Sequence, residues 1–252
     1  MLRVGTGIKW IYLRNKLFWK IEHMKSRTAV LVAFLSLFLL AGSASAESER
    51  ELNHLISDAS YALVDIATAR ETNIPDYLLS NCDAIVILPE MYKGGLIIGG
   101  SVGKGVISVK SRQTGEWSSP AFIEVVSGSF GWQIGIEKSE LVLVIVGRKA
   151  VEMFLEDSFK LGADASIAAG PIGRKGQAAV DYKLDNQIYS YSKTKGLFAG
   201  ISLEGSVVSV LGELNGTYYG SGTTPADILM RQNVQDTGET NNLKRVLNKY
   251  IK

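Results

Sequence analysis

Cysteine and histidine are almost missing from this chain: Cys82 is the single cysteine, and His23 and His54 are the two histidines. One cysteine cannot close an internal disulfide, so the fold has to stand on a packed core. Two histidines leave little material for a Ser-His-Asp triad or a His-rich metal site, and neither a metal nor an organic cofactor is expected. Cys82 heads the apolar run "AIVILP" and reads as a small buried hydrophobe rather than a nucleophile.

An apolar run long enough to span a bilayer is missing too. "AVLVAFLSLFLLA", Ala29 to Ala41, follows Lys25 and Arg27 and ends near "ASA" at Ala46, a pattern shorter than the roughly 20 residues of a transmembrane helix. It reads as a secretory signal peptide over residues 24–46, with the mature chain starting at Glu47 and export to the periplasm as the expected destination. Residues 1–23 read as an upstream extension, with Trp10, Leu13, Leu17 and Ile21 on one helical face and Lys9, Lys16 and Lys20 on another.

A net charge of one sign is likewise small. The chain holds 27 basic and 25 acidic residues; the segment before Glu47 takes away seven of the former and Glu22, leaving 20 against 24. The mature protein is mildly acidic, which gives no support to nucleic-acid binding.

Glycine is abundant, with 26 residues, and densest in "GGLIIGGSVGKGVISV", Gly94 to Val109. The Gly103-Lys104 pair invites comparison with a phosphate-binding loop. That motif needs a glycine where Ile98 stands and a hydroxyl where Gly105 stands, and a dinucleotide fingerprint needs a following helix where "VISVK" predicts a strand. Nucleotide binding is therefore excluded, and the stretch reads as a hairpin turning at "SVGKG".

Leu52, Leu55, Ile56, Ala59, Leu63, Ile66 and Ala67 recur at helical spacing and predict an amphipathic helix over residues 48–70, with Glu51, Asp58 and Asp65 on its polar face. Short strands follow at "AIVILP", Leu96 to Gly100, Val106 to Lys110, Ala121 to Val126, Phe130 to Ile136 and Leu141 to Val146, with "SGS" and "EKSE" as turns. "RKAVEMFLED" predicts a helix, "ADASIAAG", "AAVDYK", "QIYSYSK", "LFAGISLEG" and "SVVSVL" further strands, and "TPADILMRQ" a short helix. Residues 47–231 form the expected domain and residues 232–252 a polar tail, loose until a last helical turn or two. The fold class is α+β: an antiparallel, curved or barrel-like Gly-rich sheet with an N-terminal amphipathic helix and one or two further short helices. An outer-membrane barrel fits poorly, because the predicted strands are short and the apolar helix face needs a soluble core.

Asp164, Glu204, Glu137 and Glu124 are the acidic candidates for chemistry, yet no second carboxylate stands at a fixed spacing, and they read as structural acceptors. "NGT" at Asn215 matches a glycosylation acceptor. Lys93, Lys104, Arg174, Lys175, Lys193 and Lys195 lie beside glycines or at strand ends, with Tyr92, Tyr189, Tyr191 and Phe198 near them. Long cations next to amphipathic rings suit an anionic membrane surface, or simply solvated turns.

Taken in order, "CDAIVILPEMYKGGLIIGGSVGKGVISV", "WSSPAFIEV", "GSFGWQIGIE", "LGADASIAAGPIGR", "IYSYSKTKGLFAGISLEGSVV" and "YYG" resemble the SYLF domain family over roughly residues 50–231. The resemblance implies a non-enzymatic domain that binds anionic membrane phospholipids peripherally, and it implies no cofactor. Lys93, Arg174, Lys193 and Lys195 fall on the family's motifs; with Lys104, Tyr191 and Phe198 they form the expected lipid site. The phosphoinositide and actin roles of eukaryotic members do not transfer to an exported chain with an acidic helix face. An envelope scaffold binding another protein is the alternative, and an enzyme built on Asp164 and Glu204 a third.

Overall fold

In the computed structural model, residues 48–68, 74–95, 98–130, 135–170 and 187–251 are described. The expected signal peptide, the upstream extension, the "AAVDYK" strand, Arg174 and Lys175 lie outside them. The first described element, α1 (residues 48–68), follows its sequence pattern: Leu52, Ile56, Ala59, Leu63 and Ile66 are buried, whereas Glu51, Asp58 and Asp65 are exposed. Pro75, which has no N–H to give, opens α2 (Asp76–Ser80), and the chain then enters β1 (Ala84–Gly95).

The six strands expected between Cys82 and Gly147 are four long ones: β1, β2 (Ile98–Val109), β3 (Ala121–Phe130) and β4 (Gly135–Val146). "SVGKG" is therefore not a turn but the middle of β2, and "SGS" and "EKSE" likewise lie inside strands. The reason lies in the neighbouring strand. β1 shifts register between Ile87 and Glu90, a bulge at Leu88 and Pro89 that pushes its backbone towards β2. A Cβ on Gly105 would sit 2.2 Å from the Ile87 carbonyl oxygen, and one on Gly103 would sit 2.6 Å from that of Glu90. These glycines let two backbones pass closely; they do not reverse the chain.

After β4 come α3 (Arg148–Glu152), a 3-10 turn (Met153–Leu155), β5 (Ser158–Lys160), β6 (Ser166–Ala169), β7 (Gln187–Thr194), β8 (Leu197–Gly200) and β9 (Val207–Val210). All nine strands join one curled, half-barrel sheet in the order β5-β9-β3-β2-β1-β4-β7-β6. The second half of β7 also pairs with β8. Every pairing is antiparallel except β6 with β7.

Both faces of the sheet are covered over most of their area, so the strands read there as continuous apolar runs. Ile85, Ile87, Val106, Phe122, Val142, Val144 and Tyr191 pack under α1 and a C-terminal helix. Val86, Leu88, Ile107, Ile123, Leu143 and Ile145 pack on the opposite face with Val151, Phe154, Ile228 and Leu229. The last two come from a single π-helical turn, Asp227–Arg231, where "TPADILMRQ" predicts a short helix.

Two helices depart from the sequence reading. α4 (Gly212–Tyr219) has almost no amphipathic pattern, but Asn215 within it is fully buried. The Asn215 side-chain oxygen accepts from the Phe122 N–H at 2.8 Å, so this asparagine serves β3 and is not a surface glycosylation acceptor. The tail expected to be loose forms α5 (Gly238–Tyr250), opened by a reciprocal cap between Thr237 and Thr240 and held by buried Leu243 and Leu247. Its few apolar residues all fall on one face.

Candidate functional site

The covering of the first face is incomplete. Beyond the bulge, side chains at Tyr92, Val102, Val126 and Val207 stand directly opposite one another on β1, β2, β3 and β9. Alternation along each strand puts them on the α1 side of the sheet. They are nevertheless 44%, 46%, 46% and 39% exposed, an apolar row across four strands with solvent over it. The same register continues to Lys138 on β4 at one end and Lys160 on β5 at the other, so an ammonium group bounds the row on each side.

The next row towards the hairpin ends is Gly94, Gly100 and Gly128. A Cβ on Gly94 or Gly128 would meet nothing within 4 Å, and one on Gly100 would touch only the Ser127 carbonyl oxygen. Glycine is not required there by crowding, as it is at Gly105; it leaves a low floor beside the apolar row. On the inner side, Glu90, Lys104, Glu124 and Ser209 form a polar row, with Lys104 facing a carboxylate on each neighbouring strand. A groove of about 440 Å³ runs here between α1 and the sheet, lined by Asp58, Glu90, Tyr92, Val102, Lys104 and Glu124. Lys138 ion-pairs with Glu90, which also accepts from the Tyr92 hydroxyl; these two hydrogen bonds hold the Glu90 carboxyl below its ordinary range.

The expected lipid residues do not gather in one place. Lys104 lies on the margin of the apolar row. Lys93 follows Tyr92 and so belongs to the opposite face, where it stands across from Ser101 and Glu137. Lys193 is ion-paired with Asp65 of α1 and acts as a tether. Tyr191 is fully buried, its ring against Gly170, and is a core residue with no access to a membrane. Its hydroxyl is pushed up by burial and by Tyr77 and Tyr189. Tyr189 is buried as well. Phe198 belongs to β8, but its side chain lies outside the description, as does Arg174.

Lys195 does reach solvent. It holds a left-handed conformation, φ 49°, in the β7–β8 turn, 3.9 Å from Glu137. Two residues on, Leu197 is 78% exposed. Tyr92 apart, sequence reasoning passed over the apolar row and its two lysines, because a row across a sheet is set by register between distant segments. The available signal was local: Val102, Val126 and Val207 each sit beside a glycine or serine in a strand that also holds a fully buried valine.

The acidic candidates have structural partners. Asp164 accepts the Lys160 N–H at 2.6 Å and caps a turn, and the Glu204 side chain lies over Gly162. Cys82 is buried and donates to the Ala84 carbonyl oxygen at 3.0 Å; burial pushes its thiol up to about 12, so it is not a nucleophile.

Comparison with known proteins agrees with the resemblance seen in the motifs. The Ysc84 family, described as "Las17-binding protein actin regulator", matches residues 126–250. The chain is 35% identical to Protein YSC84 of Saccharomyces cerevisiae over 159 residues, 62% of this chain and 34% of that protein. An SH3 domain-containing protein of Schizosaccharomyces pombe is 37% identical over 181 residues, 71% of this chain and 41% of the relative. SH3 domain-containing YSC84-like protein 1 of Rattus norvegicus is 31% identical over 178 residues, 70% and 52% respectively. The chain thus spans a third to a half of the length of these relatives.

Proposed function

Because the chain belongs to the Ysc84-like SYLF domain family, we propose that it is a non-catalytic binding domain that attaches peripherally to anionic phospholipid in the bacterial cell envelope. The observation that carries this reading is the solvent-facing row Tyr92–Val102–Val126–Val207 with Lys138 and Lys160 at its ends. Apolar surface gains by leaving water, and a membrane offers an apolar layer under a negatively charged one. A row four strands wide, some 15 Å at ordinary strand spacing, lays valines and a tyrosine on the acyl boundary and brings ammonium groups to the phosphates. The glycine row beside it lets the sheet approach closely. Lys195 and Leu197 supply a further cation and apolar side chain at the β7–β8 hairpin.

Names of the relatives describe binding and regulation, which agrees with a non-enzymatic role. Their Las17-binding label supports a protein partner as the second reading, and an exposed apolar row suits that too. Flotation of the purified protein with vesicles separates the two. The lipid reading expects co-flotation with phosphatidylglycerol-containing vesicles, weakened by salt, and little with pure phosphatidylcholine. Equal recovery on both, or none on either, contradicts it.

A further inference from the structure

At the end of the sheet remote from the apolar row, the start of β1, the turn after β2 and the end of β4 enclose a cleft of about 720 Å³. Lys110 and Arg112 line it from one turn, and Arg148 and Lys149 from the other; Asp83 is its one carboxylate. Residues 47–252 carry 20 basic against 24 acidic side chains, so four cations against one carboxylate in a concavity is a local reversal of sign. We infer that this cleft is a binding site for a phosphate-class anion.

Asp83 offsets one of the four positive charges and leaves the cleft net positive. Its carboxylate is fully engaged: Arg112 donates from Nε at 2.7 Å and from Nη2 at 2.9 Å, and the Gly147 N–H donates at 2.8 Å. Burial opposes ionisation of this carboxyl, but these donors and the Arg112 and Arg148 charges hold it below its ordinary range. The fork leaves the Arg112 Nη1 hydrogens for another acceptor. The floor is rigid, because the Asp83 N–H donates to the Ile145 carbonyl at 2.9 Å and its carbonyl accepts from Lys110 N–H at 2.8 Å. Around it, Lys110 lies over the Trp117 ring, 5.9 Å from its centre, and Arg148 reaches Met230 Sδ at 3.0 Å and Glu152 at 3.8 Å. Two guanidinium-bearing and two ammonium-bearing side chains, from the segment after β2 and from the start of α3, thus border one space. A tetrahedral oxyanion presents several acceptors to such a set, whereas a single carboxylate occupies one fork.

The inference rests on this end of the sheet alone and stands or falls separately from the lipid reading. Inorganic phosphate titrated into the full chain, followed by proton–nitrogen NMR of Gly147 N–H, Ser111 N–H and Arg112 Nε, tests it. Saturable shifts are expected, absent with chloride at equal ionic strength. The double variant K110Q/R148Q is expected to weaken the affinity about tenfold, and K110R/R148K to restore it. Shifts that fail to saturate, that chloride reproduces, or that K110Q/R148Q leaves within about twofold of wild type overturn the inference. Phosphatidylglycerol vesicles identify the source of the anion: competition between vesicles and free phosphate for these resonances assigns the cleft to a lipid headgroup, and phosphate binding that vesicles do not disturb assigns it to a soluble phosphate compound.

Discussion

Lys193 of β7 forms an ion pair with Asp65 of α1, tying the N-terminal helix to the sheet across 128 residues of sequence. Half of the Asp65 side chain remains in water, so the pair is partly screened. Lys193→Gln is expected to lower stability by less than about 1 kcal/mol in urea unfolding and to leave vesicle flotation unchanged. A loss of flotation without a loss of stability would put Lys193 back among the lipid contacts.

Gly105 and Gly128 separate the two uses of glycine in this sheet. An added methyl at Gly105 meets the Ile87 carbonyl at 2.2 Å, and the backbone has to move to admit it; at Gly128 it meets nothing. Gly105→Ala should cost about 1–3 kcal/mol or more, and Gly128→Ala a few tenths at most, by chemical denaturation of the two variants side by side.

These two positions also show what the sequence made legible. Helix α1, the apolar cores of the strands and the curled Gly-rich sheet follow from periodicity and composition, since burial on both faces leaves an unbroken apolar run. Where glycines stand in a strand for packing against a bulge, as in "SVGKG", composition alone reads a turn. Helix α5 was hidden because its burial rests on Leu243, Leu247 and a Thr237–Thr240 cap within a polar sequence. Of the residues singled out in the sequence, Tyr92 stands in the exposed apolar row and Lys104 on its margin, while Tyr191 and Lys193 are drawn inward by contacts with Gly170 and Asp65 that no local pattern encodes. The basic cleft was missed because its four cations arrive in pairs from turns more than 30 residues apart.

Asn215 is buried with its amide on the Phe122 backbone, accepting the N–H at 2.8 Å and lying 3.5 Å from the carbonyl oxygen. Asn215→Leu leaves those backbone groups without a partner and should cost about 1–3 kcal/mol, with loss of protection of the Phe122 amide in hydrogen exchange. Unchanged stability would show that water takes over the role of the side chain.

Acid should destabilise the fold from about pH 4 downwards. The carboxyls of Asp83 and Asp236 are held below 3.8, and that of Asp227 at about 2 by Thr224 and Arg231, so the stability they contribute is complete above the unfolded value and is lost as pH falls through the folded one. Glu140 has the opposite sign: burial and the nearby Asp65 raise it above 4.5 despite Lys193 and Lys138. Its cost therefore enters as pH rises through 4.5, and Glu140→Gln should raise the melting temperature at pH 7 and leave it unchanged below pH 4. A variant that melts lower than wild type at pH 7 would contradict this sign.

The proposed contact between the apolar row and lipid is tested most directly by a dye placed on the row. Cys82 is buried, so a thiol introduced by Val102→Cys can be labelled selectively with an environment-sensitive fluorophore, and Gln113→Cys, exposed at the far end of the sheet about 20 Å away or more, serves as the reference. On addition of phosphatidylglycerol vesicles, the emission at position 102 is expected to shift to the blue and to be quenched by bromine-labelled acyl chains, whereas position 113, beside the basic cleft, is not quenched by them. Binding to the vesicles with no shift at position 102, or with a shift at position 113 alone, would contradict the account.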